Sequence, residues 1–459
     1  MKILHYMPGI PPVYDGGMIR YASDLMAAQK NMGIEVLLLY PGVVSRKKAK
    51  HVKIVRKKNY GEIPAYELCH ALLVPTGDGI VDSNAFIRPC TGQVFWMFFH
   101  KQQPDLVHIH SLMGLPREFL YVLRQAGIPS VYTTHDYFGI CPIGTALDAK
   151  GENCHDTQWK QCGMCCQNAY SIKRLRLRQS WLYRQYRKQV WLTRLVHKKK
   201  DVFKRRPSKT LESMTQKKAV CGQAYAYAQL RKYYQGMFRK IDYYHFNSTA
   251  AQQVYRNWLG DIKGSVINIS HAGINDRRSK GCYSSVTGVP LKIAYFGNYS
   301  VYKGFYDLLA VCRSIYRDGR KNLELHVYSD TDMVKDEFVK NHPHFRQDER
   351  EAILKRIDVL VMPSRWVETF GLAALEAASC GVPVIFPKTA GIWDVFRRHP
   401  DACFSYEKGR TGLKQCLEAI YDDRYLLQRA NQALLSMDYD FSYRTHVIRI
   451  LALYNKILQ

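Results

Sequence analysis

The sequence predicts an α/β protein of two lobes, each built on a buried parallel sheet. Three observations predict it. Short apolar runs rich in Ile, Val and Leu alternate with amphipathic stretches of helix length. A polar, Gly-bearing stretch, Ser270-His271-Ala272-Gly273-Ile274-Asn275 through Gly288-Val289-Pro290, follows a strand and reads as a linker. The length, 459 residues, allows two to three domains at roughly 150 residues each, with a large buried core.

The first lobe is placed at 1–270, with strands expected at Lys2–Tyr6, Glu35–Tyr40, Leu106–His110, Ser130–Thr134 and Val266–Ile269. The second lobe is placed at 271–440, with strands at Leu291–Phe296, Leu323–Tyr328, Val359–Met362 and Val382–Phe386. The tail, 441–459, carries Val447, Ile450, Leu453, Tyr454 and Ile457 at helical spacing and reads as a closing amphipathic helix that returns to the first lobe. No internal repeat or low-complexity tract is evident.

Hydrophobic residues at 47% and charged residues at 23% exclude a wholly disordered or collagen-like chain. No run approaches the roughly 18 apolar residues of a spanning helix, and Met1 to Gly9 is too short for a signal-peptide core, so a cytoplasmic protein is expected. In that reducing setting the 13 Cys are thiols or metal ligands before they are disulfides.

Lys+Arg 67 minus Asp+Glu 39 gives +28, a surplus that implies an anionic partner. Residues 171–240 hold 21 Lys/Arg against Asp201 and Glu212, a net +19. This segment breaks the βα rhythm: Leu175, Leu182, Tyr183, Tyr186, Val190 and Val196 fall near one helical face, while Arg176, Arg184, Arg187, Lys188, Arg194 and Lys198 mostly face away. One reading is a helical insertion on the first lobe with a solvated basic face. The other is a helix on an anionic membrane surface, where each cation is worth about 1 kcal/mol; Trp181 and Trp191 suit such an interface.

The strongest local signal is the stretch from Pro363 to Ile385. A strand, a turn with Glu368, then Gly371 opening a helix sets backbone N–H groups beside a carboxylate, a cradle for a phosphate joined to a hydroxyl-rich ligand. Glu376 lies about a turn further in, where a carboxylate can take two vicinal ribose hydroxyls. Cys141, Cys154, Cys162, Cys165 and Cys166 form C-x12-C-x7-C-x2-C-C, and the inner CxxC spacing suits a thiolate metal site. Structural zinc held by Cys141, Cys154, Cys162 and Cys165 is the first reading; buried thiols or a disulfide are the alternatives. Asp330-Thr331-Asp332 matches the letters of a metal-binding Asp-x-Asp but reads as a loop after a strand.

Glu368-x7-Glu376, with Phe370-Gly371-Leu372 between and Cys380-Gly381-Val382-Pro383-Val384-Ile385 after, resembles the donor-binding motif of family-four (glycosyl transferases group 1) retaining glycosyltransferases. The resemblance covers most of the chain apart from the basic segment. It implies the GT-B fold, two Rossmann-like lobes around a cleft, with the basic insertion in the first. Gly16 and Gly17, after Asp15, match the family's loop under the donor diphosphate, and Lys303 in Gly297–Gly304 matches the cation for the leaving diphosphate. Asn298 stands where the family often has Arg, so Arg365 is a candidate to compensate. His135 matches the histidine near the transferred sugar; Asp136 would hold its tautomer or the acceptor hydroxyl, and His110 is a further acceptor-side candidate.

By this resemblance the donor is a nucleotide-diphospho-sugar bound by Arg365, Glu368, Phe370, Gly371, Leu372 and Glu376, with Glu368, His135 and Lys303 closest to the chemistry. No cofactor is required for catalysis, since backbone dipoles and Lys303 take the place of a divalent cation. The acceptor implied is a polyprenyl-diphosphate-linked or other saccharide, in bacterial capsule, exopolysaccharide or O-antigen synthesis on the inner face of the cell membrane. The alternatives are a nucleic-acid-binding protein using 171–240, which the confinement of charge to an insertion argues against, and a GT-B sugar-nucleotide epimerase.

Overall fold

Branched apolar runs bounded by polar turns form two parallel sheets, and the computed structural model describes them over residues 1–44, 51–156, 159–193, 220–281, 283, 288–329 and 333–459. The first sheet comprises β1 (Lys2–Tyr6), β2 (Glu35–Pro41), β3 (Lys53–Arg56), β4 (Ala65–Cys69), β5 (Leu106–Ile109), β6 (Ser130–Thr133), β7 (Tyr243–Phe246) and β8 (Gly264–Val266). Its order is β3-β4-β2-β1-β5-β6-β7-β8, parallel apart from the antiparallel pair β3 and β4. The second comprises β9 (Leu291–Phe296), β10 (Leu323–Tyr328), β11 (Val339–His342), β12 (Val359–Val361), β13 (Val384–Pro387) and β14 (Phe404–Tyr406), in the order β11-β10-β9-β12-β13-β14.

Each order reverses direction at its centre, between β1 and β5 and between β9 and β12, and ligands of open α/β sheets gather beyond the carboxyl ends of strands at such points. The β1 end feeds the loop to Gly16 and the helix Gly17–Asn31; the β9 and β12 ends feed Gly297–Gly304 and Pro363–Gly371. The closing helix, Tyr443–Leu458, lies on the first lobe, with Tyr454 bonded to His108 and His446 to Tyr21. One apolar cluster joins Tyr21, Leu25 and Leu106 of the first lobe, Ile450 and Tyr454 of this helix, and Leu375 and Phe386 of the second lobe.

The last strand of the first lobe is Gly264–Val266 rather than Val266–Ile269. A Cβ at Gly264 would lie 2.4 Å from the Tyr244 carbonyl, so glycine admits the close pairing with β7 that the apolar pattern alone does not show. Strands β3, β4, β7, β11 and β14 were not expected; β3, β11 and β14 are short flanking strands with polar or aromatic positions.

The basic segment is helical over Ile172–Arg178, Trp181–Thr193 and Val220–Phe238. Arg194, Val196, Lys198, Asp201, Glu212 and the Asp330–Asp332 stretch lie outside the described residues. The expected division of faces is partly reversed. Leu175 is buried, but Leu182 and Tyr186 are 71% and 60% exposed, whereas Arg184 turns inward to Glu67 at 2.5 Å and donates to the Pro41 carbonyl at 2.8 Å. The reason is Glu67, buried on β4: a carboxylate there requires cations, and Arg184 and Lys57 supply them. Among the described residues, no helix is long and apolar enough to cross a membrane.

Candidate active site

The cleft between the lobes has a volume of about 220 Å³. Its first-lobe wall includes Gly17, Met18, His135 and Asn247; its second-lobe wall includes Lys303, Ser364, Glu368, Phe370, Gly371 and Leu372. Gly16 precedes the helix Gly17–Asn31 at φ 136°, and Gly371 precedes Leu372–Ala378 at φ 110°. Both occupy the left-handed half of backbone space, which glycine enters without steric cost, so each turns its helix start and its unbonded N–H groups toward the cleft.

Glu368 is buried, and its two oxygens are used unequally. Oε2 accepts from Lys303 Nζ at 2.8 Å, Ser364 Oγ at 2.9 Å and Trp366 Nε1 at 2.8 Å; among the described residues Oε1 accepts only from Lys303, at 3.1 Å. Oε1 therefore keeps capacity for a ligand hydroxyl. Burial works against the Lys303 ammonium, but the adjoining carboxylate outweighs it and raises its pKa, so the lysine is a fixed cation. Gly304 places it: a Cβ there would lie 1.7 Å from the Pro363 carbonyl, and glycine lets the two loops touch.

Glu376 lies one turn along the helix from Leu372, which lines the cleft. It is 8% exposed, with His271 Nε2 and Arg350 each 2.5 Å and Arg20 3.7 Å from Oε1. Burial would raise this carboxyl, but the bond from His271 and the nearby guanidinium groups lower it below the usual range. Arg20 and Gly273 N–H both donate to His271 Nδ1, so His271 is neutral with its proton on Nε2, facing Glu376. Arg20, His271 and Arg350 were not found by sequence reasoning. Arg20 lies one helical turn after Gly16, a signal of proximity; nothing local marked the other two.

Arg365, the candidate to replace the missing cation at Asn298, reaches the first-lobe loop at Gly151 and is held by a carboxylate of its own lobe. Asp307, 58 residues earlier, holds its guanidinium through Nε and Nη2, and Arg410 joins the same carboxylate. One carboxylate between two guanidinium groups leaves the cluster a net +1, so Asp307 fixes the position of Arg365 without cancelling all of its charge.

His135 is in the wall as expected, and Thr369 Oγ1 donates to its carbonyl across the seam at 2.9 Å. Burial lowers its pKa to about 3, so the ring is neutral. His110 is not on the acceptor surface: it is 1% exposed, behind His135, with Nδ1 3.2 Å from His135 Nε2. It takes the contact assigned in the sequence to Asp136. The Asp136 carboxylate instead accepts from Phe138 N–H at 2.8 Å and closes its own turn.

The cysteines of the 141–166 loop gather near Arg231, which is stacked between Trp159 and Trp258 with Nε and Nη2 buried and without a hydrogen-bond partner among the described residues. Burial raises the Cys165 thiol to about 12 and Cys166 to about 11. Among the described residues the trio of possible ligand atoms within 4.8 Å of one another is His5, His108 and His110, so the sulfurs stand further apart than a closed tetrahedral zinc site requires.

Comparison with known proteins agrees with this geometry. Residues 15–196 match the family described as Glycosyltransferase Family 4, and residues 290–423 match Glycosyl transferases group 1. A D-inositol 3-phosphate glycosyltransferase of Arthrobacter sp. is 38% identical over 98 residues, 19% of this chain and 21% of that protein. A glycogen synthase of Mycobacterium tuberculosis is 31% identical over 103 residues, 22% and 25% of the two chains. These matches thus span only about a fifth to a quarter of the relatives' lengths. In fold the chain is similar to sucrose-phosphate synthase from Thermosynechococcus elongatus, at 13% identity and TM-score 0.56 over 99% of this chain and 98% of that one. It is also similar to Anabaena HepE in complex with UDP and glucose, at 15% identity and TM-score 0.55 over 99% of each chain. Both likenesses show the GT-B architecture of two α/β lobes around a cleft.

Proposed function

We propose that this chain, which carries a Glycosyltransferase Family 4 domain in its first lobe and a Glycosyl transferases group 1 domain in its second, transfers a sugar from a nucleotide-diphospho-sugar to an acceptor hydroxyl with retention of configuration. The observation that carries the reading is the Lys303–Glu368 pair at 2.8 Å, facing Gly17 across a cleft that Gly371 also lines. The diphosphate lies against Lys303 and the N–H groups after Gly16 and Gly371; the sugar hydroxyls reach Glu368 Oε1 and His135. The bond from the anomeric carbon to the diphosphate oxygen breaks, the acceptor oxygen bonds that carbon on the same face, and the acceptor proton passes to the departing diphosphate. Lys303 and the backbone dipoles meet the charge that develops on the leaving group, and each such donor is worth about 10²–10³ in rate. Glycosyltransferase relatives and UDP-bound neighbours support a nucleotide-sugar donor.

The acceptor in this proposal is a lipid-diphosphate-linked saccharide in bacterial surface-polysaccharide assembly, met at the inner face of the membrane. Its support is the basic segment, where Leu177, Trp181, Leu182 and Tyr186 stand 46–71% exposed beside Lys173, Arg174 and Arg178. A structural zinc in the cysteine loop belongs to the same proposal and would have to draw the thiols together from their present spacing; its support is the buried guanidinium of Arg231 among them, which calls for negative charge.

The test is incubation of purified protein with a panel of nucleotide sugars and lipid extract, following nucleotide release and lipid-linked product. Release from one donor that requires lipid is the expected result. Transfer to a soluble glucan instead would displace the lipid acceptor, and conversion of donor without any acceptor would replace transfer by epimerisation. Sedimentation with anionic vesicles and metal content of the same preparation decide the membrane and zinc parts: no vesicle binding, or no zinc, removes each in turn.

A further inference from the structure

Behind the cleft the first lobe contains a row of buried histidines that the proposed chemistry does not use. Strand register puts His5 beside His108 and Thr133 beside His245. His5, His108, His110 and His245 are all fully or almost fully buried. Each ring nitrogen of these four has one partner, and the partners form one unbranched chain.

At its far end His245 Nε2 lies 2.8 Å from the Ile267 carbonyl, which can only accept. A neutral His245 therefore has its proton on Nε2 and a bare Nδ1, which must accept from Thr133 Oγ1 at 2.9 Å. With its single hydrogen given away, Thr133 Oγ1 must accept from His108 Nε2–H at 2.6 Å. His108 Nδ1 is then bare and accepts from the Tyr454 hydroxyl at 2.5 Å. Tyr454, now an acceptor, faces the NH₂ of Gln29 at 3.2 Å, which aims the Gln29 Oε1 at His5 Nε2, 2.8 Å away. His5 donates there and accepts at Nδ1 from His110 Nε2–H at 3.0 Å; His110 accepts at Nδ1 from His135 Nε2–H at 3.2 Å. One assignment satisfies every link, from a backbone carbonyl to the cleft. Desolvation lowers the pKa of every histidine in the chain, which keeps them neutral as the assignment requires.

We propose that this chain of eight hydrogen bonds is a tautomer relay, in which Tyr454 on the closing helix and Gln29 are positioning residues that fix His135 as the Nε2–H tautomer and so present its bare Nδ1 to the cleft as an acceptor for a ligand hydroxyl. No bond joins His135 Nδ1 to another described residue, and the ring lines the cleft. The His5, His108 and His110 nitrogens that come within metal-ligating range of one another are taken up by the relay. The relay makes the docking of residues 443–458 a condition for the chemistry of a side chain contributed by a distant loop. The role of the ligand hydroxyl rests on the proposed function; the tautomer does not.

The test is ¹⁵N histidine NMR of the full chain, with the His135 signal assigned by its loss in His135→Gln. The wild type is expected to show the Nε2–H form. In Tyr454→Phe the Gln29 amide loses the partner that orients it, so His135 is expected to become a mixture of tautomers, and kcat to fall about threefold to tenfold, the scale of one hydrogen bond, with donor KM little changed. Gln29→Glu added to Tyr454→Phe replaces the amide by a carboxyl that, once ionised, only accepts at His5, and at a pH high enough to ionise it is expected to restore the Nε2–H form. An Nδ1–H His135 in the wild type overturns the proposal without any variant being made. So does an unchanged Nε2–H signal in a folded Tyr454→Phe. Should the NMR results hold while no donor is turned over, the relay stands and the glycosyl-transfer reading falls.

Discussion

The two walls of the cleft are built in opposite ways. In the second lobe, Ser364, Trp366 and Glu368 come from five consecutive positions, and their one distant partner, Lys303, enters on a neighbouring loop. In the first lobe, His135 depends on residues at 5, 29, 110 and 454, passed from strand to strand and then to the closing helix. A wall made from one stretch is vulnerable only where it is touched. A wall made from a long chain of bonds can be broken far from the ligand, but by smaller steps.

The largest expected effect is therefore local. Glu368→Ala removes the acceptor of sugar hydroxyls and also leaves Lys303 and the Trp366 N–H without their partner, so kcat is expected to fall by about 10²–10³, as when a preorganised charge is lost. Lys303→Ala should match it, and the double variant should be little worse than either, because the pair acts as a unit. Steady-state nucleotide release measures all three. A loss below about tenfold would place Glu368 away from the reacting atoms, and would make the two walls alike.

The next effect concerns the seam. Glu376 collects Arg20 from the first lobe, His271 from the linker and Arg350 from the second lobe, and removal of the carboxylate takes the shared partner from two part-buried guanidinium groups, leaving Arg20 with Asp24 at 3.7 Å. Glu376→Ala is expected to cost about 3–5 kcal/mol in urea denaturation. Because folding lowers this carboxyl, the stabilisation is fully present above the usual carboxylate range and is lost as pH falls through the lowered value. The variant should lose that acid-side decline. A cost under about 1 kcal/mol would mean that the charges are solvated and that the seam is held by apolar packing alone.

What the sequence disclosed follows the same division. Strands Lys2–Tyr6 and Leu291–Phe296 fall where largely apolar runs place them, because burial on both faces writes itself into consecutive residues, and Leu323–Tyr328 falls where apolar Leu323, Leu325 and Val327 alternate with less buried Glu324 and His326. Tyr243–Phe246 was missed because Tyr-Tyr-His-Phe carries no aliphatic run and follows a basic helix. The Glu368 motif was legible because strand, turn and helix start are contiguous. The partner of Arg365 could not be read in the same way, because proximity to Glu368 along the chain says nothing of Asp307, which holds its guanidinium. His271 and Arg350 were invisible for the complementary reason: they stand 105 and 26 residues before Glu376, and only the folding of the linker and the second lobe brings them to it. The histidines themselves were visible, as His108-Ile109-His110 and His135-Asp136, but their hydrogen bonds run across four strands and only the fold orders them.

Asp136 offers the finest test of the difference between the walls. It adjoins His135 in sequence, yet His110 holds the ring, and the Asp136 oxygen closes a turn on Phe138 N–H. Burial raises its carboxyl to about 6, so folding favours the protonated form. The sign is opposite to that at Glu376: its contribution is fully present below the unfolded value of about 4 and is lost as pH rises through about 6. Asparagine keeps the oxygen that accepts from Phe138 and carries no charge. Asp136→Asn is therefore expected to remove this decline and to stabilise the protein by about 1–2 kcal/mol near neutral pH, less than the full shift because the residue is partly solvent-accessible. Sugar transfer should change by less than about twofold, well under the value of a single hydrogen bond to the ligand. If instead transfer collapses in a folded Asp136→Asn, the carboxylate acts on the acceptor, and the first-lobe wall is as local as the second.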